Sequence, residues 1–238
     1  MPVRFFISKE LPPELADKLR EVGAEYLALP LIKTVPLPFE PEEVTRFSPQ
    51  FVLFSSKNGV KFFFKRFLPE ALKGVKVIAV GSSTAEELKK LGFEPIIPNN
   101  FSAEGLLELL KEWDVKGKRF LIVRPKKARS LVQDFLKERG AQTLEVIAYQ
   151  TLPREEAKEE LLKFFSKGVD CAAFTSPSNF KSFLKLAGRD VLKGVELLPI
   201  GHVTAAAIKK EGFEPLEPPK EYTLKGIVES LVSLAKGL

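Results

Sequence analysis

The chain is 238 residues long, 45% hydrophobic and 29% charged, with a formal net charge of +6 and a sequence pI near 9.2. A single cysteine, Cys171, excludes an internal disulfide framework, and no apolar run approaches the ~18 residues of a membrane span. The basic balance permits a polyanionic ligand, but the absence of any run of five like charges gives a nucleic-acid arm no support.

That length suits two compact units better than one, and the apolar fraction lets each bury a core. The opening Met1-Pro2-Val3-Arg4-Phe5-Phe6-Ile7-Ser8 is too short and too soon interrupted for a secretion signal, so the cytoplasm is the expected compartment. Asn, Gln, Met and Cys are scarce beside Lys and Glu, a composition associated with thermophiles.

In chain order, the first half reads as strands over residues 4–8, 25–36, 51–55, 75–80 and 95–97. Between them lie helical segments such as 13–22 and 85–91. The second half repeats the pattern with strands over 119–124, 142–152, 170–175, 196–200 and 215–217. Gly23, Gly92, Gly140 and Gly212 each follow a helical run and fit as C-caps. The alternation predicts parallel, doubly wound sheets of flavodoxin type.

The two halves are copies. Phe54-Ser55-Ser56-Lys57-Asn58 matches Phe174-Thr175-Ser176-Pro177-Ser178, and Gly81-Ser82-Ser83-Thr84 matches Gly201-His202-Val203-Thr204. Both pairs stand 120 positions apart, as do Pro95 and Pro215. Arg4-Phe5-Phe6-Ile7 pairs with Arg119-Phe120-Leu121-Ile122, so the second copy begins near Lys118. The residue 25–36 and 142–152 strands are unusually long, and two such strands are expected to pair as a ribbon between domains. The residues alone leave two arrangements open: sequential domains, or an exchange in which the first strand–helix unit joins the end of the chain.

Ligands of open parallel sheets sit at the carboxyl ends of the strands, near helix N-termini. Here those places hold Ser55, Ser56 and Lys57; Ser83 and Thr84; Arg124, Lys126 and, farther on, Arg129; Ser176 and Ser178; and His202 and Thr204. Their hydroxyls, amides and cations suit an anion, and the hydroxyls equally suit helix capping. Tyr149, one of three tyrosines against twenty phenylalanines, lies on the long return strand. A Gly-x-Gly-x-x-Gly loop, a Walker loop and a nucleophile elbow are all missing. One histidine and one cysteine exclude an all-His/Cys metal site.

Four strings carry a family resemblance. Phe51-Val52-Leu53-Phe54-Ser55-Ser56-Lys57-Asn58-Gly59-Val60, the turn Ala79 to Thr84, the helix start Ser102-Ala103-Glu104-Gly105-Leu106 and the return strand Val146-Ile147-Ala148-Tyr149-Gln150-Thr151 resemble uroporphyrinogen-III synthases. The resemblance implies two α/β domains on a two-stranded β linker, residues 1–35 with 150–238 and residues 38–148, with linkers near 30–38 and 146–153. It implies cyclisation of hydroxymethylbilane to uroporphyrinogen III in a cleft between them, without cofactor or metal, by a monomer in at most transient contact with the preceding hydroxymethylbilane synthase. It makes Tyr149 the catalytic residue, assisting loss of the substrate hydroxyl, and Thr84, Thr204, Ser56, Ser176 and Ser102 substrate-binding residues. Where the family often has Arg-Pro after the first strand, Ser8-Lys9 stands here, and lysine lacks the bidentate fork. A hinge-type binding protein for an anionic small molecule is the alternative reading.

Overall fold

The structure, a computed structural model, describes residues 1–100 and 102–237. Its strands in chain order are β1 (Arg4–Ile7), β2 (Glu25–Ala28), β3 (Ile32–Pro36), β4 (Phe51–Phe54), β5 (Lys76–Ala79), β6 (Arg119–Pro125), β7 (Gln142–Pro153), β8 (Cys171–Phe174) and β9 (Glu196–Pro199). The α-helices are α1 (Pro13–Glu21), α2 (Pro41–Phe47), α3 (Lys57–Phe64), α4 (Ser82–Lys90), α5 (Ala103–Lys111), α6 (Leu131–Glu138), α7 (Lys158–Phe165), α8 (Pro177–Ala187), α9 (His202–Lys210) and α10 (Leu224–Gly237). The chain divides into two compact units, one of Met1–Lys33 with Leu152–Leu238 and the other of Thr34–Thr151.

The first unit holds a four-stranded sheet of order β2-β1-β8-β9. Its ladders are parallel, with Phe5 opposite Cys171 and Tyr26, and Ala172 opposite Leu197. The second holds a five-stranded sheet of order β3-β7-β6-β4-β5, in which Phe51 faces Lys76 and Phe120 across parallel ladders. The four-stranded sheet therefore takes β2 and β1 from the first copy and β8 and β9 from the second, while the five-stranded sheet takes β7 and β6 from the second copy and β3, β4 and β5 from the first.

Alternation along the strands decides the layers, because successive side chains point to opposite faces. In the first unit Phe6, Ala172, Phe174 and Leu197 pack against Leu161, Phe165, Phe180, Phe183 and Ile208 of α7, α8 and α9. Phe5, Ile7, Cys171, Ala173 and Leu198 point the other way, onto Leu15 and Leu19 of α1 and Ile227, Val228 and Leu231 of α10. In the second unit Val52, Phe54, Val77, Leu121 and Val123 meet Val60, Phe63, Ala85 and Leu88 of α3 and α4. Leu53, Ile78, Phe120 and Ile122 meet Leu106, Leu110, Val132 and Leu136 of α5 and α6. Both sheets are covered on both faces, which is why their strands read as continuous apolar runs.

Four helix starts share one device. The hydroxyls of Ser56, Ser102, Ser176 and Thr223 accept from the backbone N–H three residues on, at Gly59, Gly105, Asn179 and Gly226. Glycine at 105 and 226 is required by space: a Cβ there would run into the backbone of Asn100 or Glu221.

Three expected strands are corrected. Residues 25–36 are not one strand but β2 and β3, interrupted at Leu29-Pro30-Leu31. Pro30 has no N–H to give a ladder, and its carbonyl accepts from the Arg154 guanidinium. Residues 95–97 make only a single bridge, Ile96 to Ile78. Residues 215–217 form no strand, although Leu216 N–H donates to Leu197. Prolines at 95, 98, 215, 218 and 219 withhold the donors a ladder needs. β3 lies beside β7; Leu37 donates to Ala148 and Arg154 to Leu31, a pairing in which the two strands run oppositely.

Burial, with Glu196 and Asp170 nearby, pushes the Cys171 thiol up from 9.0 to about 12. The folded state keeps this proton where the unfolded chain has lost it. Its contribution to stability is full below pH 9.0 and declines as pH rises toward about 12. We therefore expect native protein at pH 8 to leave Cys171 unmodified by a maleimide over hours, and urea-unfolded protein to react within minutes. Rapid labelling of the native protein would contradict the burial of β8.

Candidate functional site

Parallel ladders align the carboxyl ends of neighbouring strands, so the turns that follow them gather along one edge of each sheet. In the second unit that edge carries the turns after β4, β5 and β6, with Tyr149 on β7. The register places Tyr149 opposite Pro125, across an irregularity between Arg124 and Pro125, and Lys126 N–H donates to the Tyr149 carbonyl at 2.9 Å. Tyr149 is 6% exposed, with its ring stacked on Phe62 at 5.5 Å between centroids. Its hydroxyl lies 2.8 Å from Ser56 Oγ.

Ser56 is committed on one side, since its Oγ accepts from Gly59 N–H at 3.0 Å. A hydroxyl has one proton to give and two lone pairs. With one lone pair taken by the amide, Ser56 keeps one lone pair and its proton, so either hydroxyl can donate in the bond between Ser56 and Tyr149. Ser55 and Lys57, on either side of Ser56, are exposed.

At the start of α4, Gly81 has φ 97, a backbone conformation natural to glycine. Ser83 is exposed, and Thr84 is 2% exposed. Among the described residues no buried side-chain polar atom lacks a partner. The Thr84 hydroxyl makes no side-chain hydrogen bond among the described residues.

The basic cluster divides. Arg124 Nε donates to Glu145 Oε1 at 2.9 Å, and its Nη1 donates to the carbonyls of Pro125 and Lys126. Buried Gln133 donates to the same Glu145 oxygen. Arg124 thus braces its own turn. Arg129 pairs with Glu104 at 2.8 Å and holds the Glu104 carboxyl below the usual carboxylate range. Lys126 and Lys127 are exposed and make no ion pair among the described residues. Ser102 is the cap of α5.

The corresponding edge of the first unit is more closed. Ser8, 1% exposed, bonds through Oγ to Thr175 Oγ1 at 3.0 Å and accepts from Thr175 N–H at 2.9 Å. Asn179 caps the other flank: its Oδ1 accepts from Leu31 N–H, and its Nδ2 donates to Ser176 Oγ. Ser178 and His202 are exposed, whereas Thr204 is 2% exposed and, like Thr84, makes no side-chain hydrogen bond among the described residues. Ser8 and Asn179 were missed by sequence reasoning. The departure Ser8-Lys9 from the usual first-loop Arg-Pro was the available signal for Ser8, and asparagine where its copy has Gly59 was the signal for Asn179.

These features define a two-unit, doubly wound α/β protein whose strand-end turns carry hydroxyls, amides and lysines, with one nearly buried tyrosine bonded to a serine among them. The family model for uroporphyrinogen-III synthase HemD matches residues 13–229. The uroporphyrinogen-III synthase of Chlorobaculum parvum is 30% identical over 209 residues, covering 83% of this chain and 84% of that protein. The putative uroporphyrinogen-III synthase of Methanocaldococcus jannaschii is 29% identical, covering 95% of each. Among solved structures, a Thermus thermophilus uroporphyrinogen III synthase mutant superposes with a TM-score of 0.69 at 21% identity, covering 99% of both chains. The Helicobacter pylori uroporphyrinogen-III synthetase superposes at 0.68 with 22% identity, covering 98% of this chain and all of that one. The chain belongs to the uroporphyrinogen-III synthase HemD family.

The Ser56–Tyr149 bond predicts a measurable coupling. In urea unfolding, Ser56→Ala should cost ~1–2 kcal/mol through cap and bond together. In a double-mutant cycle with Tyr149→Phe, the pair should retain ~0.5–1.5 kcal/mol of interaction. A coupling near zero would show that the two hydroxyls do not meet.

Proposed function

We propose that this chain is a uroporphyrinogen-III synthase that closes hydroxymethylbilane to uroporphyrinogen III with release of water and inversion of ring D. The observation that carries the proposal is the Tyr149 hydroxyl. It is bonded to a serine already held by a backbone amide, on the strand-end edge of a chain of this family. In the proposed reaction Tyr149 donates its proton toward the leaving hydroxyl of the bilane. The resulting azafulvene is attacked by ring D to give a spiro intermediate, which opens and recloses with ring D inverted. Ser56 returns a hydrogen bond to the phenolic oxygen as it becomes more basic.

The bilane carries carboxylates on every pyrrole ring and cyclises unaided to the other isomer. The chief task is then to hold its conformation, with modest help to the leaving group. We assign carboxylates to the exposed Lys57 and Lys126, to the hydroxyls of Thr84 and Thr204, and to the amides starting α3, α4, α8 and α9. Arg124 and Arg129 serve by bracing their turns, because Glu145 and Glu104 already occupy them. No step of this chemistry calls for a cofactor. A binding protein without chemistry is not favoured by membership of this family. The reading places the enzyme in the cytoplasm as a monomer, with at most passing contact with the enzyme that supplies its short-lived substrate.

The test is to supply freshly made hydroxymethylbilane and resolve the oxidised porphyrin isomers. Isomer III should form faster than the spontaneous rate; isomer I alone, at that rate, would defeat the proposal. Tyr149→Phe should lower kcat ~100-fold, the low end of general-acid assistance, with circular dichroism unchanged. Turnover equal to the parent enzyme would remove Tyr149 from its assigned role.

A further inference from the structure

A second tyrosine stands at the strand-end edge of the first unit. Tyr222 lies in the segment before α10, next to Thr223, which caps that helix. Its ring is placed against the turn after β9. A Cβ built on Gly201 would come within 2.7 Å of Tyr222 Cδ2 and 3.1 Å of Cε2. The backbone at Gly201 is extended, with φ −164 and ψ −177. The backbone would accept another residue there, and it is the ring that requires glycine. His202 meets the same ring edge-on, with centroids 5.4 Å apart and planes at 87°.

Despite these contacts Tyr222 remains 50% exposed, and the neighbouring Val203 is 76% exposed. Large apolar groups left open beside a polar strand-end turn are not accounted for by the core of the unit. The other copy lacks this platform in part: Ser82 and Ser83 stand where His202 and Val203 do, and a Cβ at Gly81 would meet only the Thr84 hydroxyl, at 4.0 Å.

We propose that Tyr222, seated on Gly201 and His202, is a substrate-positioning residue that takes the face of one pyrrole ring of the bilane. This rests on the reading of function above. An electron-rich heteroaromatic ring pairs with a tyrosine in offset or edge-to-face geometry. The Thr204 hydroxyl and the amides at the start of α9 stand on the same turn and donate to a carboxylate of that ring. The platform thus reads the two parts of a substituted pyrrole, an apolar face and an anionic arm.

Steady-state kinetics with hydroxymethylbilane test the proposal. Tyr222→Ala should raise KM about tenfold, equivalent to ~1.4 kcal/mol, with kcat within about twofold and an unchanged melting temperature. Tyr222→Phe should restore the parent KM, since the ring face is retained. Gly201→Ala pushes the ring from its seat and should raise KM by a similar factor with Tyr222 still present. An unchanged KM in Tyr222→Ala, or a Tyr222→Phe variant as impaired as the alanine one, overturns the proposal. If the parent enzyme itself yields only isomer I, the functional reading fails and takes the ring platform with it. If the parent makes isomer III and the variants do not differ from it, only the platform fails.

Discussion

The parallel ladder between the first strand of one copy and the third strand of the other holds each unit together. β1 runs beside β8 and β6 beside β4. Phe5, Phe6, Phe54, Phe120 and Phe174, all on these four strands, are fully buried. Neither copy could fold as a complete sheet by itself in this arrangement. β1 and β2 would lack the strand that covers the inner edge of β1, and β4 and β5 would lack β6. The duplication is therefore a reciprocal exchange of half-sheets. This ladder also sets the chemistry, because parallel register brings the end of β1 level with the end of β8, and the end of β6 level with that of β4.

What the sequence conveyed and what it withheld follow from the same physics. Strands buried on both faces announce themselves as apolar runs, and the repeat fixed which turns correspond. The two parallel sheets were legible for that reason. The break at Leu29-Pro30-Leu31 was not, because its cause is remote: Leu31 N–H goes to the Asn179 side chain and its carbonyl to Arg154 N–H. The short segments at 95–97 and 215–217 carry strand-like residues but too many prolines to sustain a ladder. Proline content was visible, and its consequence depends on which edge each segment meets.

For the site, Tyr149 was legible as a rare tyrosine on a return strand. Its partner was not, since the register that brings Tyr149 opposite Pro125 includes an irregularity that no periodicity encodes. Arg124 shows the opposite case. A cation after a strand end reads as a free clamp, and only the placement of Glu145 on β7 reveals that it is already bound. Tyr222 was hidden because its signal is a glycine in an unremarkable extended conformation. The need for that glycine is steric and appears only when the ring lies over it.

A reaction that treats one ring of a four-ring chain unlike the others demands an asymmetric site, and a duplicated scaffold supplies symmetric turns. Several departures from symmetry lie at the strand ends. Where the second unit has Gly59, the first has Asn179, whose amide holds Leu31 and Ser176 and closes that flank. Where the first has Ile32, the second has Tyr149, bonded to Ser56. Ser8 and Thr175 tie the first unit's central strands together by hydroxyls, while the second braces its equivalent turn by the longer reach of Arg124 to Glu145. On one shared framework the two units thus present different groups at corresponding strand ends.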